Sequence, residues 1–195
     1  MSLAQAAPTR NAHEMHFAVA EYGKVMALQK NHTEALRHYR EAIRMAVSIK
    51  APEVFFRHYT QCVLESLELT GTYSDVIEFC ENADRHYSAL EVSRAVHKKD
   101  WASVLERLAI NLVKAGQIAA AKEAIHRALA CAEDIPMPLA QELNQWLQRG
   151  LHVDNNRLLA LQKKHHYFVV RPEQVNASQA RSLESLNAPS RQFSL

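Results

Sequence analysis

The chain has 195 residues, 48% of them apolar and 23% charged, with 23 basic against 21 acidic side chains for a net charge of +2. That length suits one domain with a tail, and that apolar share is enough for a core. A charge so nearly balanced excludes a dedicated nucleic-acid binder, whose phosphate contacts need a clustered basic face, and no run nears the roughly 18 apolar residues of a membrane span. Four glycines and six prolines are few, and sheets need many glycine-rich tight turns, so the expectation is all-α. Cys62, Cys80 and Cys131 stand far apart in apolar contexts, as free thiols do in a reducing, cytoplasmic setting. The opening MSLAQAAPTRNAHEM has no signal-type apolar core,.

Residues 1–12 are expected to be disordered. A first helix is predicted from about His13 to Lys30, with Met15, Val19, Tyr22 and Met26 at helical spacing,. Thr33 is placed to cap a second, which buries Ala35, Leu36, Tyr39, Ala42, Ile43 and Ala46 and ends at Ala51-Pro52,. A third runs from about Pro52 to Leu69 with Phe55, Phe56, Tyr59, Val63 and Leu67, and turns at Gly71. The fourth, from about Ser74 to Glu91, carries Val76, Ile77, Cys80, Ala83 and Tyr87. The fifth starts at Ala95 or Asp100 and carries Trp101, Leu105, Leu108 and Leu112 as far as Lys114. Gly116 opens a sixth, Pro136 and Pro138 divide it from a seventh, and Gly150 closes the seventh,. A short eighth spans Asn155 to about Lys164. Tyr167-Phe168-Val169-Val170 favours extended geometry. From residue 171 the chain has too little to bury and reads as a disordered, solvated tail. The alternative is that SLESL (182–186) or RQFSL (191–195) docks into a groove, its own or a neighbour's.

The second, fourth and sixth helices share a pattern of a small or medium residue, a larger one four later, and alanine three after that. The triplets are Ala35/Tyr39/Ala42, Val76/Cys80/Ala83 and Ala121/Ile125/Ala128. This pattern resembles the tetratricopeptide repeat (TPR), a helix-turn-helix unit of about 34 residues. Under that resemblance Gly23 in the first helix and Leu108-Ala109 in the fifth match the family's small, closely packed position, whereas Leu64 departs from it in the third, which implies wider packing there. The matched positions 35, 76 and 121 step by more than that, as in longer-helix relatives of the family. The resemblance implies an antiparallel helix-pair array, a TPR-like α-solenoid of about three units over residues 13–133. Residues 134–170 would then be C-terminal capping helices with a short extended segment.

Such an array implies a concave face made by the first helix of each unit, suited to a protein or peptide segment. The family's groove positions fall here on Phe17, Ala20, Lys24 and Ala27, on His58, Gln61, Glu65 and Glu68, and on Ser103, Glu106 and Ile110. Phe17, Lys24, His58, Gln61, Glu65, Glu68, Glu106 and Ile110 are the candidate partner-binding residues, against the simpler reading of solvated helix faces. The acidic centre suits a ligand with basic and apolar residues. The expected function is therefore a non-catalytic protein–protein adaptor or scaffold. The alternatives are a secretion-type chaperone and a peptide-responsive regulatory protein.

Chemistry is poorly represented. His13 and His16 lie at i and i+3 without the i,i+4 spacing and third ligand of a zinc protease,. No phosphate-binding glycine motif and no G-x-S-x-G elbow occurs,. The expectation is no enzyme, no metal and no cofactor.

Overall fold

The computed structural model describes residues 10–90 and 95–187. The helices are α1 (Arg10–Leu28), α2 (His32–Ser48), α3 (Glu53–Leu69), α4 (Tyr73–Ala89), α5 (Ala95–Lys114), α6 (Ile118–Ala132), α7 (Pro138–Gln148), α8 (Asn155–Lys164) and α9 (Leu183–Asn187). A 3-10 turn covers Pro172–Gln174, and the described residues contain no strand. The protein is all-α, and neighbouring helices pack on one another: α1 on α2, α4 on α5, α5 on α6 and α6 on α7. The chain divides into two compact units, one running to Ser66 and resuming at Val169, the other Leu67–Phe168.

In the first unit, α1 and α2 approach closely because Gly23 has no side chain. A Cβ there would stand 2.7 Å from Cε1 of the Tyr39 ring and 3.2 Å from the Ala35 carbonyl. Tyr39 is fully buried with Ala35 and Cys62, and Met26, Ala27 and Val63 pack around them. A second cluster gathers Val19, Ala20, Ala42, Ala46 and Tyr59, with Phe55 and Ile43 beside it. The small residues of α2 thus let the backbones meet, and Tyr39 fills the gap.

The buried face of α1 differs from the predicted one. Met15 is exposed, whereas His16, Glu21 and Lys24 are buried with Val19 and Ala20. These polar groups tolerate burial because they are paired. His16 Nδ1 lies 2.7 Å from the Tyr59 hydroxyl, and Lys24 Nζ donates to Glu21 Oε1 at 2.6 Å. Phe56, expected inside, is exposed. The cap of α2 is Asn31, not Thr33: the Asn31 side chain accepts from Glu34 N.

In the second unit the buried positions are Leu105, Leu108, Ala109, Leu112, Ala121, Ile125 and Ala128 of α5 and α6, with Leu139, Leu143 and Leu147 of α7 and Leu158 and Leu161 of α8. Of the three triplets only Ala83 stays half-exposed. Pro138 sits at the start of α7, where its missing N–H costs nothing,.

One closing device recurs at helix ends. After α1, Lys30 N bonds the Ala27 carbonyl and Asn31 N the Met26 carbonyl; the same pair of bonds follows α2, α3, α5, α7 and α8. The residue at the bend takes a positive φ each time: Lys30, Lys50, Gly71, Gly116, Gly150 and His166. This is the Schellman motif, which caps orphan carbonyls and reverses the chain. Glycine supplies the left-handed residue at some ends and lysine or histidine at the others.

The segment read as a disordered tail is not free as far as Leu186. Asn176 N donates to Glu21 Oε2 at 2.6 Å, and Arg181 N to the Ala18 carbonyl at 3.0 Å. Leu183 N reaches His38 Nε2 at 3.2 Å, and Leu183 and Leu186 pack on the Val19–Tyr59 cluster. The SLESL stretch is therefore docked on its own chain, and RQFSL lies outside the described residues. The reason for the difference is backbone hydrogen bonding, to which a polar composition is no obstacle. Of the segment 1–12, residues up to 9 are outside the described chain, and α1 already includes Arg10–Ala12.

Candidate functional site

The first unit carries a face built from α1 and α3 whose buried groups are carboxylates. Glu65, 2% exposed, accepts from two successive backbone N–H groups, Val169 at 2.6 Å and Val170 at 3.1 Å. A bend at Val169 turns both N–H groups to one side, making the small anion-holding concavity that successive amides form. Glu21 holds Asn176 N on one oxygen and Lys24 on the other. The side chains of Val169 and Val170 pack on the Ala35–Tyr39–Cys62 cluster. Charge-assisted bonds of this kind are about twice as strong as neutral ones. These bonds read only the backbone, so they place no demand on side chains beyond the absence of a proline that would remove the donor, and the apolar cluster beneath selects the two aliphatic side chains.

Between these helices and the overlying segment lies a cavity of about 390 Å³. Phe17, Lys24 and His58, three of the expected groove residues, line it with Glu21, Arg171 and Asn176. Burial pushes the His58 imidazole down to about 4, and the Lys24 charge adds to the effect against Glu21. His58 is thus a neutral wall at ordinary pH, 3.9 Å from Cys62 Sγ. Gln61 is exposed and does not line this cavity.

The remaining expected groove residues belong to the second unit and serve its interior. Glu68 is 1% exposed and accepts from Lys114 Nζ at 2.7 Å, Asn111 Nδ2 at 3.1 Å, Gln162 Nε2 at 2.5 Å and the Tyr167 hydroxyl at 2.8 Å. Burial alone would raise this carboxyl; the Lys114 and Arg107 charges and the Lys114 and Gln162 hydrogen bonds outweigh it and hold it below the usual range. Arg107 stacks 4.8 Å over the Tyr167 ring. Glu68 is therefore the hub of an internal network and is not a free acidic contact.

Glu106 is half-buried. Its Oε2 accepts from Ala140 N at 3.1 Å, in the first turn of α7, where N–H groups lack helical partners. Burial pushes its carboxyl up to about 7, against the Ala140 hydrogen bond and the Arg107 and His165 charges. Ile110 is fully buried and offers no surface.

The sequence reading missed Glu21, Val169, Val170 and Asn176. A signal was present in Glu21, which sits in the same helix face as Phe17 and Lys24, and in the Val-Val pair followed by Arg171. His13 Nδ1 lies 3.3 Å from His16 Nε2, and among the described residues no group of three or more histidine, cysteine or acidic side chains is placed to hold a metal. No described helix is long and apolar enough to cross a membrane. No protein-family model, curated protein or solved structure matches this chain.

Proposed function

We propose that this protein is a non-catalytic protein-interaction module, TPR-like in its helix pairs, which binds a linear peptide segment of a partner on the α1/α3 face of its first unit. One observation carries the reading: that face holds a segment of its own chain, residues 169–176, which has no α-helix, through buried carboxylates aimed at backbone N–H groups. A surface built to grip main chain in this way is suited to peptide docking, and the apolar floor of Ala35, Tyr39 and Cys62 receives two adjacent aliphatic side chains. Among the alternatives, a peptide-responsive regulatory protein agrees with a face already filled by a short segment better than a chaperone does, since a chaperone's surface would stand open for its client.

Panning the full-length chain against a library of displayed linear peptides tests this. Enriched sequences should share adjacent Val or Ile residues, lack proline at the Glu65-facing pair, and lose binding to the Glu65→Gln variant. Enriched peptides that bind Glu65→Gln equally well would place the ligand elsewhere, and no enrichment would remove the reading.

A further inference from the structure

The segment after Val169 lies over a face whose carboxylates are sealed beneath it, yet none of its described residues is itself fully buried. Val169 and Val170 are half-buried, and Pro172, Glu173, Gln174 and Asn176 are exposed. It is held by main-chain bonds to Glu65 and Glu21 and by the packing of Val169 and Val170 on the Ala35–Tyr39–Cys62 cluster. Local stretches with few buried contacts open at far lower cost than a core. Opening this one leaves no orphaned group, because the carboxylates and the amides both gain water.

We infer that residues 169–176 are a built-in competitor: they occupy the docking face in cis and yield it to a peptide of another protein carrying two adjacent β-branched residues followed by a basic one. This rests on the docking reading above and adds its regulation and ligand class. The partner chemistry is that of the seated segment, Val169-Val170-Arg171, where Arg171 lines the cavity that Glu21 also lines and pairs with Glu173 of the segment at 2.7 Å. The linkage is one of population: apparent affinity for the outside peptide is the intrinsic affinity multiplied by the fraction of chains in which the face is open. Anything that weakens the internal segment therefore strengthens the outside ligand without touching the face.

The test uses the full chain and an acetylated, fluorescently labelled peptide of sequence FVVRPEQVNA, copied from residues 168–177. Anisotropy titrations compare wild type with Val170→Pro, which deletes one N–H to Glu65 and disfavours the bend before it while leaving α1 and α3 intact. Val170→Pro should bind the peptide roughly tenfold tighter, the scale of one lost charge-assisted hydrogen bond. In wild type, excess peptide should speed amide exchange at Val169 and Val170.

Equal affinity for both chains, abolished by Glu65→Gln, would keep the docking face and overturn the competitor. No binding to any chain would overturn both. Concentration-dependent dimers of Val170→Pro in sedimentation would make a second copy the occupant and overturn the outside peptide. Should Val170→Pro fail to fold by circular dichroism, the wild-type exchange measurement decides: unchanged Val169 and Val170 rates at the highest soluble peptide concentration overturn the inference.

Discussion

Gly23→Ala isolates the close approach of α1 to α2. In an exposed helix interior the change would stabilise by about 1 kcal/mol through helix propensity. Here the added Cβ meets Tyr39 Cε1 at 2.7 Å and Cδ1 at 2.8 Å, with the Ala35 carbonyl at 3.2 Å. The Tyr39 ring is fully buried, packed with Ala35 and Cys62. Overpacking of this kind costs about 1–3 kcal/mol, so after the propensity gain the net expectation is a loss of up to about 2 kcal/mol. Urea unfolding followed by helical circular dichroism should show a lower midpoint at unchanged slope. In a Tyr39→Leu background the ring atoms are gone, and Gly23→Ala should become neutral or stabilising by up to about 1 kcal/mol. A wild-type background in which Gly23→Ala stabilises, or a cost identical in both backgrounds, would refute the close-packing account.

Lys30→Gly and Lys50→Gly should each stabilise by about 0.5–1 kcal/mol, since both lysines hold a left-handed φ that glycine adopts without the Cβ penalty; thermal melting reads this. Glu106 ionises near 7 in the folded chain and near 4.5 when unfolded. Between those values the unfolded state binds fewer protons, so stability falls as pH rises, by about 3 kcal/mol at most. Glu106→Gln should flatten that slope in a pH series of urea midpoints. Glu68 has the opposite sign: its lowered carboxyl stabilises above about 4.5 and loses that contribution as pH falls through its folded value. Glu68→Gln should cost about 3 kcal/mol near neutral pH by leaving the buried Lys114 charge uncompensated, and a change under about 0.5 kcal/mol would remove the hub role.

The helices were legible because their evidence is local. Apolar spacing, the proline at 138 and the glycines at 71, 116 and 150 mark elements whose hydrogen bonds close within a few residues. The turns at Lys30, Lys50 and His166 were less so, because lysine and histidine carry no mark of a left-handed backbone. Buried charge was the main failure. Lys24, Glu65 and Glu68 read as groove contacts or solvated helix faces; Lys24 lies inside beside its local partner Glu21, and only the long-range partners Val169, Lys114 and Tyr167 explain why Glu65 and Glu68 do. The docked segment escaped for a related reason. It is held by its own N–H groups, which every residue except proline possesses, so composition could not distinguish it from a free tail.

Site-resolved amide exchange of the intact protein tests the central claim most directly. The claim is that Glu65 pins a peptide backbone on the α1/α3 face. Val169 and Val170 amides should be protected in wild type. In Glu65→Gln they should exchange faster while core amides of α2 stay unchanged, because the carboxamide has one acceptor oxygen where two N–H groups need partners. Free exchange of Val169 and Val170 in wild type, or protection untouched by Glu65→Gln, would contradict it.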